Sequence, residues 1–288
     1  MNRTWNHSAA LAALSVLLAT GAAAQEVKEI GRTTEKELKV VLTSSFGSLR
    51  IARGESGKMV VLKNERGEPG FNVDYAVRNR IGYMDLSLGE NESADEGRKH
   101  SGFHFSGLKG GDWSLEFSDA VPISFDIQMG VGRGDLNLSG LTVKDLNVST
   151  GASDVCLAFD QPNATTVENI NIEAGVSKFE GRQLGNANFR HFRFQGGVGT
   201  CKLDFGGELE HEVDVDVQVG MGVMTILVPQ NVGARVFYEK NWISRVDCAK
   251  DFTSVGESEY MSENYNSAQG KMNIRVDSGV GSVKILRP

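Results

Sequence analysis

The chain has little of what usually announces chemistry. Its 288 residues include three cysteines, five histidines, three tryptophans and five prolines. Three cysteines (Cys156, Cys201 and Cys248) cannot form a fully paired disulfide framework, and their spacing fits no zinc motif. No serine stands in a G-x-S-x-G setting, and no cysteine and histidine share a predicted strand face, so the common nucleophile arrangements are missing. Positive charge is also short: 30 Lys and Arg stand against 37 Asp and Glu, a net charge of −7. An acidic chain of this kind is a poor partner for nucleic acid or anionic lipid. After the first 24 residues no apolar run is long enough to span a membrane as a helix, which takes about 20 residues.

The N-terminal stretch "MNRTWNHSAALAALSVLLATGAAAQ" has one positive charge, Arg3, an apolar run from Ala9 to Thr20, and Ala22-Ala23-Ala24 before Gln25. This is the pattern of a secretory signal over residues 1–24 with an A-x-A cleavage site. Its removal would take the net charge from −7 to −8. The expected location is periplasmic or secreted. No cysteine follows the apolar run, which argues against a lipid anchor.

Glycine, by contrast, is abundant. There are 34, without the Gly-X-Y period of collagen. They recur inside one phrase written six times: "FDIQMGVGRGDLNL", "LNVSTGASDVCLAF", "INIEAGVSKFEG", "FRFQGGVGTCKLDF", "VDVQVGMGVMTILV" and "MNIRVDSGVGSVKI". Aligned on Gly130, Gly151, Gly175, Gly197, Gly220 and Gly279, the phrases are 21, 24, 22, 23 and 59 residues apart. A period near 22 is the mark of a solenoid. Before each glycine, apolar residues alternate with polar ones, as in Phe125-Asp126-Ile127 and Val215-Asp216-Val217. A second alternating run follows, as in Val155, Leu157 and Phe159. Strict alternation is a strand with one face buried. Each repeat therefore reads as strand, tight bend, strand and corner, with no room for an ordinary helix. The fold expected is all-β: a right-handed, single-stranded β-helix-like solenoid of about 8–10 rungs, each unable to bury its apolar face without its neighbours.

Weaker copies extend the pattern. "VVLTSSFGSLRI" has Ser45 in the glycine column, "YAVRNRIGYMDLSL" has Arg80, and "VFYEKNWISRV" has Asn241, which splits the 59-residue gap into 21 and 38. A further turn through Phe103–Phe117 fits out of phase. Two residues on runs a second column: Gly47, Gly82, Gly132, Ser153, Ser177, Gly199, Gly222 and Gly281. It stays small throughout, which predicts crowding between stacked bends. The first column admits Arg80 and Asn241, which predicts an unusual backbone there more than a lack of space. The chain then divides into N-terminal rungs over 25–120, with an exposed charged loop at 89–102, and a solenoid over 121–288 with an insertion at 247–271 carrying Phe252, Tyr260 and Tyr265.

Three stretches carry a resemblance to a known family. "GDWSLEFSDAVPISFDIQMGVGRGDLNLSGLTVKDLNVSTGAS", "GVMTILVPQNVGARVFYE" and "MSENYNSAQGKMNIRVDSGVGSVKI" are similar to rungs of the LiaF-like, toast-rack family of bacterial envelope proteins, and putative-adhesin β-solenoids share the GxG strands. The resemblance covers roughly residues 105–288. It implies an extracytoplasmic β-solenoid near the cell envelope, with some relatives regulating stress signalling, and it brings no catalytic residues. The sequence lacks the transmembrane helices of the regulator.

Candidate sites are few. "GVGRGD" (130–135) echoes a dinucleotide fingerprint but falls in a bend with no helix to hold a pyrophosphate, and Arg133-Gly134-Asp135 spells an adhesion tripeptide that the rung itself accounts for. His100 and His104 are four apart in a loop or strand, His191 should point outward, and His211 reads as a surface residue. A glycosidase or lyase would need paired carboxylates on one face. The outward candidates are Asp126, Glu173, Asp216 and Asp277, with Asp216 one rung from Arg193 and so suited to an ion pair. No catalytic, cofactor-binding or metal-ligating residue is assigned and no cofactor is expected. The function expected is a non-enzymatic, adhesin-like binding or structural module whose partner is an envelope protein or surface polymer. An accessory regulator acting through a membrane partner and a carbohydrate-active enzyme are the alternatives.

Overall fold

A computed structural model describes residues 26–65, 70–89, 110–239 and 244–288. The signal, His7, His100, His104, Asn241 and nearly all of the 89–102 loop lie outside the described residues. In chain order the strands are β1 (Glu26–Gly31), β2 (Glu37–Arg53), β3 (Lys58–Asn64), β4 (Phe71–Arg78), β5 (Ile81–Leu88), β6 (Gly111–Phe117), β7 (Pro122–Asn137), β8 (Thr142–Ala158), β9 (Val167–Arg182), β10 (Phe189–Asp204), β11 (Glu212–Leu227), β12 (Gly233–Tyr238), β13 (Ser244–Cys248), β14 (Phe252–Gly256), β15 (Glu259–Ser262) and β16 (Lys271–Leu286). Among the described residues the only helical element is one 3-10 turn at Leu184–Ala187.

Seven strands of 16 or 17 residues form the body, in the spatial order β2-β7-β8-β9-β10-β11-β16, each parallel to the next. Each contains one bend and so supplies both sides of a rung. The registers reproduce the glycine intervals: Phe125 pairs with Leu146, Leu146 with Ile170, Ile170 with Phe192, Phe192 with Val215 and Val215 with Ile274. Alternation decides the faces. In β7, Ile123, Phe125, Ile127 and Met129 are buried while Gln128 is exposed. A slip of one residue would turn each such set outward. Phe189, Phe192 and Phe205 pack ring against ring at 5.2–5.9 Å, and each fully buried phenylalanine stabilises the fold by about 1.5–3 kcal/mol. Buried asparagines tie successive corners. Asn163 accepts from the Val143 amide and donates to its carbonyl, both at 2.8 Å. Asn186 donates to the Phe159 carbonyl and accepts from the Glu208 amide, both at 2.9 Å.

The end rungs are split. At the N-terminal end β5 pairs with the pre-bend half of β2 (Glu37↔Ile81 to Ser44↔Leu88) and β6 with its post-bend half (Gly47↔Gly111 to Arg53↔Phe117). At the other end β12 and β13 pair in the same way with the two halves of β16. Antiparallel strands cover these rungs: β4 on β5, β3 on β6 with β1 beyond it, and β15 on β12 with β14 beyond it. Among the described residues, seven continuous and two split rungs make nine.

Two expectations change, those on Arg80 and on the glycine columns, and two details are added. First, the stack does not follow chain order at its ends, because β2 lies inside β5 and β6, and β16 lies inside β12 and β13. Second, Arg80 is not in a bend column. It ends a two-residue hairpin with Asn79, at φ 65 and 52, and Gly82 pairs with Leu38 instead of with Gly47. Third, part of the 247–271 insertion is the β14–β15 hairpin that caps β12. Fourth, the unusual backbone belongs to the second column. Gly47, Gly132, Gly199, Gly222 and Gly281 have φ between +131 and +150, and a Cβ on Gly222 would sit 1.9 Å from the Gly199 carbonyl oxygen. The first-column glycines have no positive φ, but a Cβ on Gly220 would still sit 2.7 Å from the Gly197 carbonyl. Each first-column position looks back at the rung before it. Ser45 is accepted in β2, where the rung before it is split at that level.

Candidate functional site: the bend face

Stacking identical bends turns single residues into columns. Across the outside of the bend run five. The first is a polar column two residues before the first glycine: Thr43, Gln128, Ser149, Glu173, Gln195, Gln218 and Asp277. Next comes the first glycine column, which with the polar column shapes one groove of about 610 Å³ over β2 to β10 and another of about 470 Å³ continuing to β16. The third column is Phe46, Val131, Ala152, Val176, Val198, Met221 and Val280, between the two glycines. The second glycine column follows, and then Ser48, Arg133, Asp154, Lys178, Thr200, Val223 and Ser282.

The third column breaks the alternation. In five of the seven rungs the next residue is a glycine at positive φ, in β8 and β9 it is a serine without one, and in every rung from β7 to β16 this side chain stands out at the tip of the bend instead of entering the core. Val176 is 64% exposed, Met221 51%, Val198 47%, Val131 45% and Val280 39%. Single exposed valines need no explanation, but an apolar residue in every rung, four of the seven valine, with Ala152 in β8, Met221 in β11 and a half-buried Phe46 in β2, aligned in hydrogen-bonded register along the stack, forms an apolar ridge. With strands about 4.8 Å apart, the seven rungs give it a length of about 30 Å. The ridge is visible in the sequence as the middle residue of each G-x-G or G-x-S, but its exposure is not, since period-2 alternation through the bend gives no side to that residue.

The residues with possible chemistry are placed as follows. Arg133 is exposed, Asp135 lies 3.6 Å from Arg50, and Gly134 faces inward beneath Met129. His191 points outward, 3.5 Å from Asp214, and His211 lies 2.9 Å from the Phe189 carbonyl. Asp126 and Asp216 fall in one outward column and Glu173 and Asp277 in another. Asp216 is flanked by Arg193 and Arg275, and its contact, at 3.6 Å, is to Arg275. Asp216 and Asp277 come from adjacent strands and share a cavity of about 340 Å³ with Gln218, Tyr238 and Arg275, a meeting that the 59-residue gap hides in the sequence. Cys156, Cys201 and Cys248 are free thiols. Cys201 lies in the inward column of Val155, Phe179 and Met224, while Cys156 stands in the outward column of Asp135 and Glu180, so the two do not converge. Burial pushes all three thiols up, Cys248 to about 12, which keeps them protonated and weakly nucleophilic. Among the described residues no group of three or more His, Cys, Asp or Glu could hold a metal ion, and no helix is long and apolar enough to cross a membrane.

A family model described as the N-terminal domain of toast_rack, DUF2154, matches residues 19–180. The chain belongs to the toast-rack family. The matched span reaches further toward the N-terminus than the three stretches quoted above, into β1–β6. Two solved structures are similar over nearly their whole length. One is a proposed cell adhesion protein of Clostridium sporogenes, 19% identical, covering 92% of this chain and 99% of its own, with a TM-score of 0.47. The other is a proposed adhesin of Bacteroides fragilis, 16% identical, covering 92% and 98%, with a TM-score of 0.39. No curated protein matches. In this toast-rack chain the conspicuous surface feature is the ridge and groove of the bend face.

Proposed function

We propose that this toast-rack chain is an exported, non-enzymatic interaction module of the bacterial cell envelope that works through its bend face. The observation that carries the reading is the ridge of Val131, Val176, Val198, Met221 and Val280, exposed in register along the stack. Apolar surface repeated in this way is costly to leave in water and is the usual mark of a contact surface. The protonated thiols and the arginine beside Asp216 support a non-enzymatic role. Export is supported by the signal pattern of residues 1–24. The partner is an envelope protein or surface polymer.

The test is cosedimentation of the purified protein with washed cell-envelope fragments, comparing the wild type with Val176→Asp. Both should give the same far-ultraviolet spectrum, since the side chain is in solvent. Retention of the wild type and loss of the variant is the expected result. Equal retention of both would move the contact elsewhere on the molecule. Release of both would remove the reading.

A further inference from the structure

The ridge and groove point to a specific occupant. We propose that the bend face is a self-association surface. Two copies lie side by side with their stacks parallel and a two-fold axis along the stack, so that the ridge of each copy lies in the groove of the other. The proposal rests on the reading of the bend face as a contact surface and deepens it: the envelope protein that fills this face is a second copy of this chain.

Two observations carry it. The first is period. The features of the groove repeat at the strand spacing, about 4.8 Å. The ridge of a second copy repeats at that spacing without adjustment, because ridge and groove are made by the same hydrogen-bonded strands. The groove also lies immediately beside the ridge, offset by one residue. Rotation about an axis running between them therefore seats both ridges at once, which is what a two-fold contact requires.

The second is charge. A two-fold axis along the stack sets the polar column of one copy against the outer column of its mate, rung by rung. In β9 this brings Glu173 against Lys178 of the second copy, and Lys178 against its Glu173. In β7 Gln128 meets Arg133, in β8 Ser149 meets Asp154, and in β10 Gln195 meets Thr200. No like charges meet. The other face-to-face arrangement has the axis across the stack and the copies antiparallel. It sets ridge on ridge and, about the central strand β9, Lys178 against Lys178 and Glu173 against Glu173. Like charges in such contacts are strongly unfavourable, so the sequence favours the parallel pair. Glu173 and Lys178 are both exposed, free to meet a second copy.

The experiment is equilibrium sedimentation of the mature chain from low to high micromolar concentration, with four variants: Val176→Asp, Glu173→Lys, Lys178→Glu, and the double charge exchange Glu173→Lys with Lys178→Glu. The wild type should dimerise and Val176→Asp should be monomeric. Each single charge reversal acts at two symmetric contacts and should weaken the dimer by about tenfold or more, and the double exchange should restore it. A wild type that stays monomeric overturns the proposal. The monomer's behaviour with envelope fragments then decides separately whether the bend face is a contact surface for something else. A dimer unaffected by Val176→Asp overturns the face. A dimer that needs Val176 but is not restored by the double exchange overturns the parallel arrangement.

Discussion

At the N-terminal end of the stack a carboxylate is held out of water; at the C-terminal end a guanidinium is. Glu35 is 2% exposed and accepts hydrogen bonds from the Thr33 amide at 2.7 Å, the Thr33 hydroxyl at 2.9 Å and the Tyr75 hydroxyl. Its partners are one turn before β2 and one strand of the covering hairpin. The Arg287 side chain is 7% exposed and meets Asp251 at 3.0 Å, the Val232 carbonyl at 2.7 Å, the Pro229 carbonyl and the Asn264 side chain, with its plane over the Phe252 ring. It gathers the corner after β11, the start of the β14–β15 hairpin and the turn before β16. Both ends face the same problem, a split rung whose covering strands have few contacts of their own. The acidic end is a latch between two segments. The basic end is a hub among several.

Both ends depend on a middle that keeps them in register, and breaking that middle should have the largest effect. Gly222→Val would place a β-branched side chain at φ +147 with its Cβ 1.9 Å from the Gly199 carbonyl oxygen. Overpacking and the left-handed backbone together should cost about 4 kcal/mol. Gly220→Asn, at an ordinary φ and 2.7 Å from the Gly197 carbonyl, should cost about 2 kcal/mol. Urea unfolding with matched slopes measures both. If the asparagine variant is the weaker, the first column is the sealed one.

Next in size is the hub. Arg287→Met keeps an apolar stem over Phe252 but leaves the Pro229 and Val232 carbonyls without their donor and Asp251 without its cation. The expected loss is about 3 kcal/mol. Hydrogen exchange should show it as lost protection in β12, β14 and β15, with β4 and β5 unchanged. Loss of protection spread evenly along the stack would mean that the hub is not local.

Glu35→Gln should cost less, about 1–2 kcal/mol, because the amide oxygen can still accept from the Thr33 amide and the amide nitrogen can donate to the Thr33 and Tyr75 hydroxyls, so that only the charge-assisted strength of these bonds is lost. Here protection should fall in β4 and β5 and stay in β12. A larger loss than for Arg287→Met would reverse the ranking of latch and hub.

The body of the stack was legible and its ends were not, for a physical reason. In β7 to β11 every rung repeats one local rule, so the interval between Gly151 and Gly175 is already the register of β8 on β9. At the ends the covering strands obey no repeat. "YAVRNRIGYMDLSL" has the right alternation for a rung, yet Asn79 and Arg80 turn it into a hairpin, a choice that two residues at positive φ make and that the apolar pattern does not record. β16 lies inside a cap of β12, β15 and β14, an order made by pairings between distant segments that a local reading does not reach. The bend face was half legible. Its columns were in the phrase, and the identity of the positive-φ column was not, because glycine in both columns conceals which needs the backbone and which the space.

The smallest expected effect uses pH to separate the two ends. Burial works to raise the Glu35 carboxyl, but hydrogen bonds from Tyr75 and Thr33 outweigh it and hold the group below its ordinary 4.5. Asp119, at the same end, is held below its ordinary 3.8 chiefly by the Ser56 hydroxyl, with Arg53 adding to it against the opposing effect of burial. A carboxyl whose folded value lies below its unfolded one adds stability that is complete above the unfolded value and is lost as pH falls through the folded value. Both contributions therefore persist at neutral pH and fade below about pH 4. Arg287 stays charged throughout that range, and its bonds to the Pro229 and Val232 carbonyls, unlike its ion pair with Asp251, do not depend on pH. Acid should loosen the N-terminal end first. Hydrogen exchange at about pH 3.5, corrected for the intrinsic exchange rate, should show β4 and β5 losing protection relative to neutral pH while β12 and β15 keep theirs. The Glu35→Gln variant, having no carboxyl there to protonate, should show a smaller difference between the two pH values in β4. If β12 opens first, the acid-sensitive contacts lie at the hub, and the assignment of latch and hub to the two charges is reversed.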